Sequence, residues 1–262
     1  MNDLQPVPKP ASFAATNTVF IGRSILHSLR NIESLLMAIM LPIMLMLLFT
    51  YVFGGAIDPS GDYVNYVVPG IILLCAGFGS SSTAVDVATD MTNGIIDRFR
   101  TMPIRSISVI TGHVAASLVR NSLATCMVIG VALLVGFRPS ANLLEWLGAL
   151  GVILLFILTF TWLFAAIGLV TGSPSAASGY GFALLFLPYL SSAFVPTSTM
   201  PAWLQGVANH QPITPVIETI RGLLTGTPVM DNGWWAIGWC VTLLVIAIGW
   251  CSLAFRRIGG RR

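Results

Sequence analysis

An all-helical integral membrane protein with six transmembrane helices is the fold class this sequence predicts, and three observations carry that reading. Of 262 residues, 55% are hydrophobic and 9% charged, with a mean hydropathy of +0.85. Soluble domains carry about 25% charged residues, so this chain lacks the polar surface to sit folded in water. Apolar runs approaching the ~20 residues that cross a bilayer recur along its length. The bases gather beside alternate runs instead of forming one stripe, which sets a topology and leaves no nucleic-acid footprint.

Residues 1–12 hold Pro6, Pro8 and Pro10, with Asp3 and a single base, Lys9. A signal peptide starts basic and turns apolar at once, so this segment reads as a disordered cytoplasmic tail. Residues 13–33 are amphipathic. Ile21, Ile25, Leu29 and Ile32 share one helical face while Arg23, His27 and Arg30 share another, as in a helix lying on the inner membrane surface with its bases toward lipid phosphates.

The transmembrane domain is expected over 34–255. Its first span, 35–53, contains Pro42, which a membrane helix tolerates when neighbours satisfy the freed carbonyl. Met37, Met40 and Met44 make a soft seam suited to helix packing. Gly54, Gly55 and the polar cluster 58–62 turn the chain outside. The second span is expected over 66–85, continuing toward Asp90, and the third over 114–137, ending in the turn Arg138-Pro139-Ser140. The fourth covers 146–170. The short, uncharged loop 171–178 makes it a close neighbour of the fifth, 179–196, which Pro188 interrupts.

Residues 197–233 are expected to form an external re-entrant hairpin. A short helix follows Pro201, over 202–208; Thr214 is placed to cap a second, with Pro215 at its first position and Gly226 beyond its end. Both are too short to cross. Trp234 and Trp235 suit an interfacial belt at the start of the sixth span, which reaches Phe255. A basic cytoplasmic tail, 256–262, closes the chain.

With six spans and both termini cytoplasmic, Lys9, Arg23, Arg30, Arg98, Arg100, Arg105, Arg256, Arg257, Arg261 and Arg262 all lie inside. Arg138 and Arg221 then lie outside and Arg120 within a span, as the positive-inside bias requires. The halves show no repeat of the kind that builds inverted-repeat carriers.

Between spans two and three lies the polar stretch 90–105. One helical turn would set Ile95, Ile96 and Phe99 on a common face, with Asp97, Arg98 and Arg100 pointing elsewhere, and Pro103 would end it. Such an apolar knob with a charged collar is shaped to dock into another protein, although the topology rule alone also accounts for the arginines.

Few residues could carry chemistry. A phosphate-binding loop needs a lysine after its glycines, and the one lysine here, Lys9, stands among prolines. The chain is therefore not expected to be an enzyme. Asp86 and Arg120 fall within the membrane on successive spans, where pairing offsets the cost of burial; a structural ion pair is favoured over a proton relay, which needs more ionisable partners in series. Asp90 and His113 fall nearer the surface and carry no role by position alone. Glu218 and Arg221 are spaced i, i+3 on the second hairpin helix, after His210. His210 has no second histidine or cysteine nearby, so no metal is expected. Cys75, Cys126, Cys240 and Cys251 all lie in apolar runs and read as buried small hydrophobes.

Two blocks carry a family resemblance. Asp90-x-x-x-Gly94-Ile95-Ile96-Asp97-Arg98-Phe99-Arg100-Thr101-Met102-Pro103-Ile104 resembles the cytoplasmic loop of type-2 ATP-binding-cassette exporter permeases, the daunorubicin-resistance permease branch above all. Met200-Pro201-Ala202-Trp203-Leu204-Gln205, continuing through Asn209-His210-Gln211-Pro212 to Ile220-Arg221-Gly222, is similar to that branch's outer hairpin. One departure is that Arg105 follows Ile104 directly, a residue early, and Ser106 comes next.

The resemblance implies a cell-membrane permease subunit that pairs with a second permease chain, identical or not, above separate nucleotide-binding ATPase subunits. ATP and Mg would be bound there, with no cofactor in this chain. Gly94, Ile95, Ile96, Asp97, Arg98, Phe99 and Arg100 would form the ATPase-docking helix, and Trp203, His210, Glu218 and Arg221 the external hairpin. Cargo in the family includes drugs, lipids and polysaccharides; the small apolar domain here favours a hydrophobic or amphipathic compound. The competing classes are an ion-coupled secondary carrier using Asp86 and Arg120, and a scaffold whose loop recruits a soluble partner.

Overall fold

A computed structural model describes residues 32–94 and 107–259. The expected tail 1–12, nearly all of the amphipathic segment 13–33, most of the docking stretch 90–105 and the end of the basic tail lie outside the described residues. Those described form helices joined by turns, with no strand among them.

Helix α1 spans Ile32–Leu47 with Pro42 inside it, then widens into a π-helical segment, Leu48–Phe53, and a last α-turn, Gly54–Ile57. The crossing thus runs Ala38–Ile57, past the expected end at 53. After a turn in which the Asp58 carboxylate accepts from the Ser60 hydroxyl (2.6 Å) and amide (3.0 Å), contacts that hold it below the usual carboxylate range, helix α2 covers Tyr63–Thr92. Helix α3 covers Ile107–Val135 and α4 Leu143–Val170. Asn142 and Glu145 close a reciprocal capping box at the start of α4, with Glu145 N donating to Asn142 Oδ1 (3.0 Å) and Asn142 N to Glu145 Oε2 (2.7 Å).

The expected fifth span is not one continuous helix. Helix α5, Pro174–Leu184, begins inside the segment expected as a loop, because the Ser173 hydroxyl accepts from Ala176 N (3.2 Å) and Pro174 supplies a first position that needs no donor. It breaks at Leu185, and a 3-10 turn, Leu187–Leu190, carries Pro188. The broken segment still travels alongside α2 in the opposite sense. Gly181 lies against Ser81, Leu185 against Gly77, and Ala193 against Gly70.

Helices α6, Ala202–His210, and α7, Ile213–Thr225, form the short pair expected in 197–233. The cap differs from expectation. Thr214 lies inside α7 and its hydroxyl donates across the hairpin to Ala208 O (2.5 Å). At the other end Gly226 takes φ 74° and its amide donates to Gly222 O (3.0 Å), the left-handed stop that only glycine adopts cheaply. Helix α8 covers Asn232–Gly259.

Five helices among the described residues are long and apolar enough to cross a membrane: Ala38–Ile57, α2, Ile110–Val135, α4 and Asn232–Phe255. Helix α2 is the most enclosed, packed by α1, α3, α4 and α5. The larger apolar cluster joins Ile71, Leu74, Phe156, Phe164 and Ile217 around it, and a smaller one joins Val87, Ile110, Trp162 and Cys251 toward the 94–107 end. Cys126, expected buried, is exposed on α3; the other three cysteines are buried.

Candidate functional site

Helix α2 has two ends, and a polar knot lies near each. At the loop end α2 stops at Thr92, and Gly94 follows with φ 67°, a left-handed turn at the start of the docking stretch. Ile95, Ile96, Asp97, Arg98, Phe99 and Arg100 lie outside the described residues.

Just inside that end a polar seam joins α2 to α3. His113 Nε2 lies 2.9 Å from Asp90 Oδ2. Less than two turns further in, Arg120 Nη2 lies 3.6 Å from Asp86 Oδ2 and donates to Ser82 Oγ. Thr83 Oγ1 donates to Ser117 Oγ (2.8 Å), and the Asn121 amide lies 3.2 Å from Ser80 Oγ, which also receives Thr161 Oγ1 of α4 (3.2 Å). Asp86 and Arg120 differ in setting: the Asp86 side chain is 48% exposed and that of Arg120 8%. The carboxylate therefore faces out of this chain while the guanidinium is enclosed by it.

Position in the sequence gave Asp90 and His113 no role, yet the structure pairs them. The missed signal is a repeat: Ser80, Thr83, Asp86 and Asp90 on one helix, and His113, Ser117 and Arg120 on the next, each recur every three or four residues and so share a face. In a bilayer, polar groups with that spacing find one another across helices, at about 0.6 kcal/mol each on average.

The other knot lies at the hairpin end. Arg221 on α7 is 5% exposed and uses its guanidinium in three directions. Nη1 donates to Glu218 Oε1 (2.5 Å), Nη2 to Ser192 O (2.7 Å) and Nε to Tyr66 O (3.2 Å), while Cζ lies 3.8 Å over the Tyr66 ring. The Tyr66 hydroxyl donates to Ser192 O as well (2.9 Å), and the Tyr63 hydroxyl to Phe194 O (2.8 Å). The i, i+3 spacing made the Glu218 contact legible; nothing in the spacing points from residue 221 to residues 66 and 192. Of the other hairpin candidates, Trp203 is exposed, and His210 Nδ1 lies 2.8 Å from Gly206 O in its own helix. Neither joins the Arg221 knot. The signal that predicted them was the hairpin as a block, and that block is divided between an exposed α6 and an enclosed α7.

The ABC-2 type transporter family model matches residues 17–225 of this chain. The daunorubicin resistance ABC transporter permease protein DrrB1 of Streptomyces coeruleorubidus is 31% identical over 214 residues, covering 80% of this chain and 74% of the relative. The probable doxorubicin resistance ABC transporter permease protein DrrC of Mycobacterium tuberculosis is 26% identical over 265 residues, 97% of this chain and 95% of that one. A putative transport permease, ycf38, of Cyanophora paradoxa is 27% identical over 214 residues, 78% of this chain and 72% of the relative.

Proposed function

This chain belongs to the ABC-2 type transporter family, and from that premise we propose that it is the membrane subunit of an exporter driven by a separate nucleotide-binding ATPase. The observation that carries the reading is the place of residues 95–106, between the ends of α2 and α3, which Asp90 and His113 hold together at 2.9 Å. A push on that stretch would reach two long helices at once. The sequence has no phosphate-binding lysine with which to do the pushing itself.

In this reading the 94–107 end faces the cytoplasm and both termini lie inside, as the positive-inside bias asks. The broken segment that includes α5 is the fifth of six crossings and α8 the sixth, with α6 and α7 forming the outer hairpin between them. Ile95, Ile96 and Phe99 fill a cleft of the ATPase, while Arg98 and Arg100 add salt-sensitive contacts. A second permease chain packs against α5, where Ser178, Gly179 and Ala183 are exposed among Tyr180, Phe182 and Phe186; small residues there would let another helix approach closely. The cargo is a hydrophobic or amphipathic compound, a class supported by the apolar walls and by relatives named for daunorubicin and doxorubicin resistance.

Phe99→Asp tests the docking role. A charge placed in an apolar cleft removes burial and adds a desolvation cost. We expect ATP hydrolysis stimulated by the permease to fall at least tenfold in the assembled complex, with the thermal midpoint of the permease unchanged. Normal turnover in that variant would overturn the docking assignment.

An ion-coupled carrier working alone is the second reading, and the 48% exposure of the Asp86 side chain is the observation in its favour. The 3.6 Å approach of Arg120 to Asp86 favours a structural pair, since a relay needs more ionisable partners in series than these two.

A further inference from the structure

Helix α2 is 30 residues long and spans about 45 Å from the hairpin end to the loop end. The helix is continuous through Pro69, three residues beyond Tyr66, where a bend is easiest. It is pinned to α3 by side-chain pairs at Asp90, Asp86, Thr83 and Ser80. On the Tyr66 side Gly70 and Gly77 pack against Ala193 and Leu185, so a displacement at one end is passed to the other through packed neighbours. What its movement does at the far end depends on what is fastened there. Arg221 is fastened there. It belongs to α7, yet Nε and the face of its guanidinium engage Tyr66 of α2, and Nη2 engages Ser192 of the segment that follows α5.

Resting on the exporter reading above, we infer that Arg221 is the positioning residue that makes the outer hairpin move with α2, so that a displacement at the docking end opens or closes the release side. Three features favour this over a plain staple. The guanidinium joins three chain segments distant in sequence, so it fixes their relative positions and not only its own helix. Its acceptors Tyr66 O and Ser192 O are backbone atoms, which move only when their segments move. Tyr66 closes the triangle through its own hydroxyl, so α2 and residues 191–194 hold each other as well as α7. Lysine would keep the charge but lose the planar fork that reaches all three partners.

The test uses the full complex with its ATPase in proteoliposomes, with doxorubicin as a fluorescent cargo. For Arg221→Lys we expect ATP hydrolysis within twofold of the parent while doxorubicin moved per ATP falls at least tenfold. A residue that only stabilises the fold would lower hydrolysis and transport together, leaving that ratio unchanged, and this result would overturn the inference. Should Arg221→Lys fail to fold, Tyr66→Phe removes one hydroxyl from the knot and is expected to lower the same ratio at least threefold.

A second measurement needs no cargo. Spin labels at Val207→Cys on α6 and Val245→Cys on α8, in a Cys126→Ser background, report the hairpin against a helix outside the knot. The distance is expected to change when ADP and vanadate are trapped in the parent complex, and to stay fixed with Arg221→Lys. A shift that persists in Arg221→Lys overturns the positioning role alone. No shift in the parent complex overturns both that role and the ATP-driven reading beneath it.

Discussion

A Cβ on Gly168 would lie 2.5 Å from the Ala84 carbonyl oxygen, because α4 and α2 touch backbone to backbone at that point. A Cβ on Gly151, further up the same helix, would meet nothing within 4 Å. The two glycines therefore answer the same substitution with opposite signs. Gly168→Ala forces two helices apart and is expected to destabilise by about 1–3 kcal/mol. Gly151→Ala removes backbone entropy from the unfolded chain and is expected to stabilise by about 0.5–1 kcal/mol. Thermal unfolding in detergent, read side by side, checks both. Single residues were legible in the sequence to the extent that their partners were local. Glu218 and Arg221 could be paired from an i, i+3 spacing; Tyr66 and Ser192 could not, since 155 and 29 residues separate them from Arg221. The Asp86 and Arg120 contact is intermediate, legible because both residues sit within a few turns of the same loop on successive spans.

At the scale of elements, the long helices follow from apolar length, and their ends from capping chemistry. Asn142 and Glu145 are an Asn-x-x-Glu box, so α4 starts at Leu143 and not at 146 as hydropathy alone suggested. Asn142→Ala leaves Glu145 N without its acceptor and is expected to cost about 1 kcal/mol, seen as a lower thermal midpoint and faster amide exchange in the first turn. Ser173 with Pro174 is a second start signal, and it lay unread inside a stretch whose small residues looked like a loop. The π-helical widening at Leu48–Phe53 has no sequence signature of this kind; within it Phe49 lies 4.4 Å from Phe194 and the Thr50 hydroxyl has no partner among the described residues. Thr214 shows the limit of capping rules. The helix starts at Ile213, so Thr214 is already inside it and not at the cap, and its hydroxyl donates to Ala208 O of α6.

The whole molecule was readable as a membrane protein because a chain with 9% charged residues has no other solvent. Which faces of its helices meet lipid and which meet another protein was not readable, since hydrocarbon and protein interior are equally apolar and leave the same residues on both. The structure narrows this by separating α2 and α7, enclosed by their neighbours, from α1, α5 and α8, which leave large apolar faces open. At this scale the central proposal is that a separate ATPase moves the chain, through residues 95–106 and along α2. The most direct measurement is doxorubicin uptake into inverted vesicles containing this chain, with ATP present, with and without the nucleotide-binding subunit. The account predicts ATP-dependent uptake only when both are present, abolished by Phe99→Asp. Equal uptake by this chain alone, driven by an ion gradient, would contradict it.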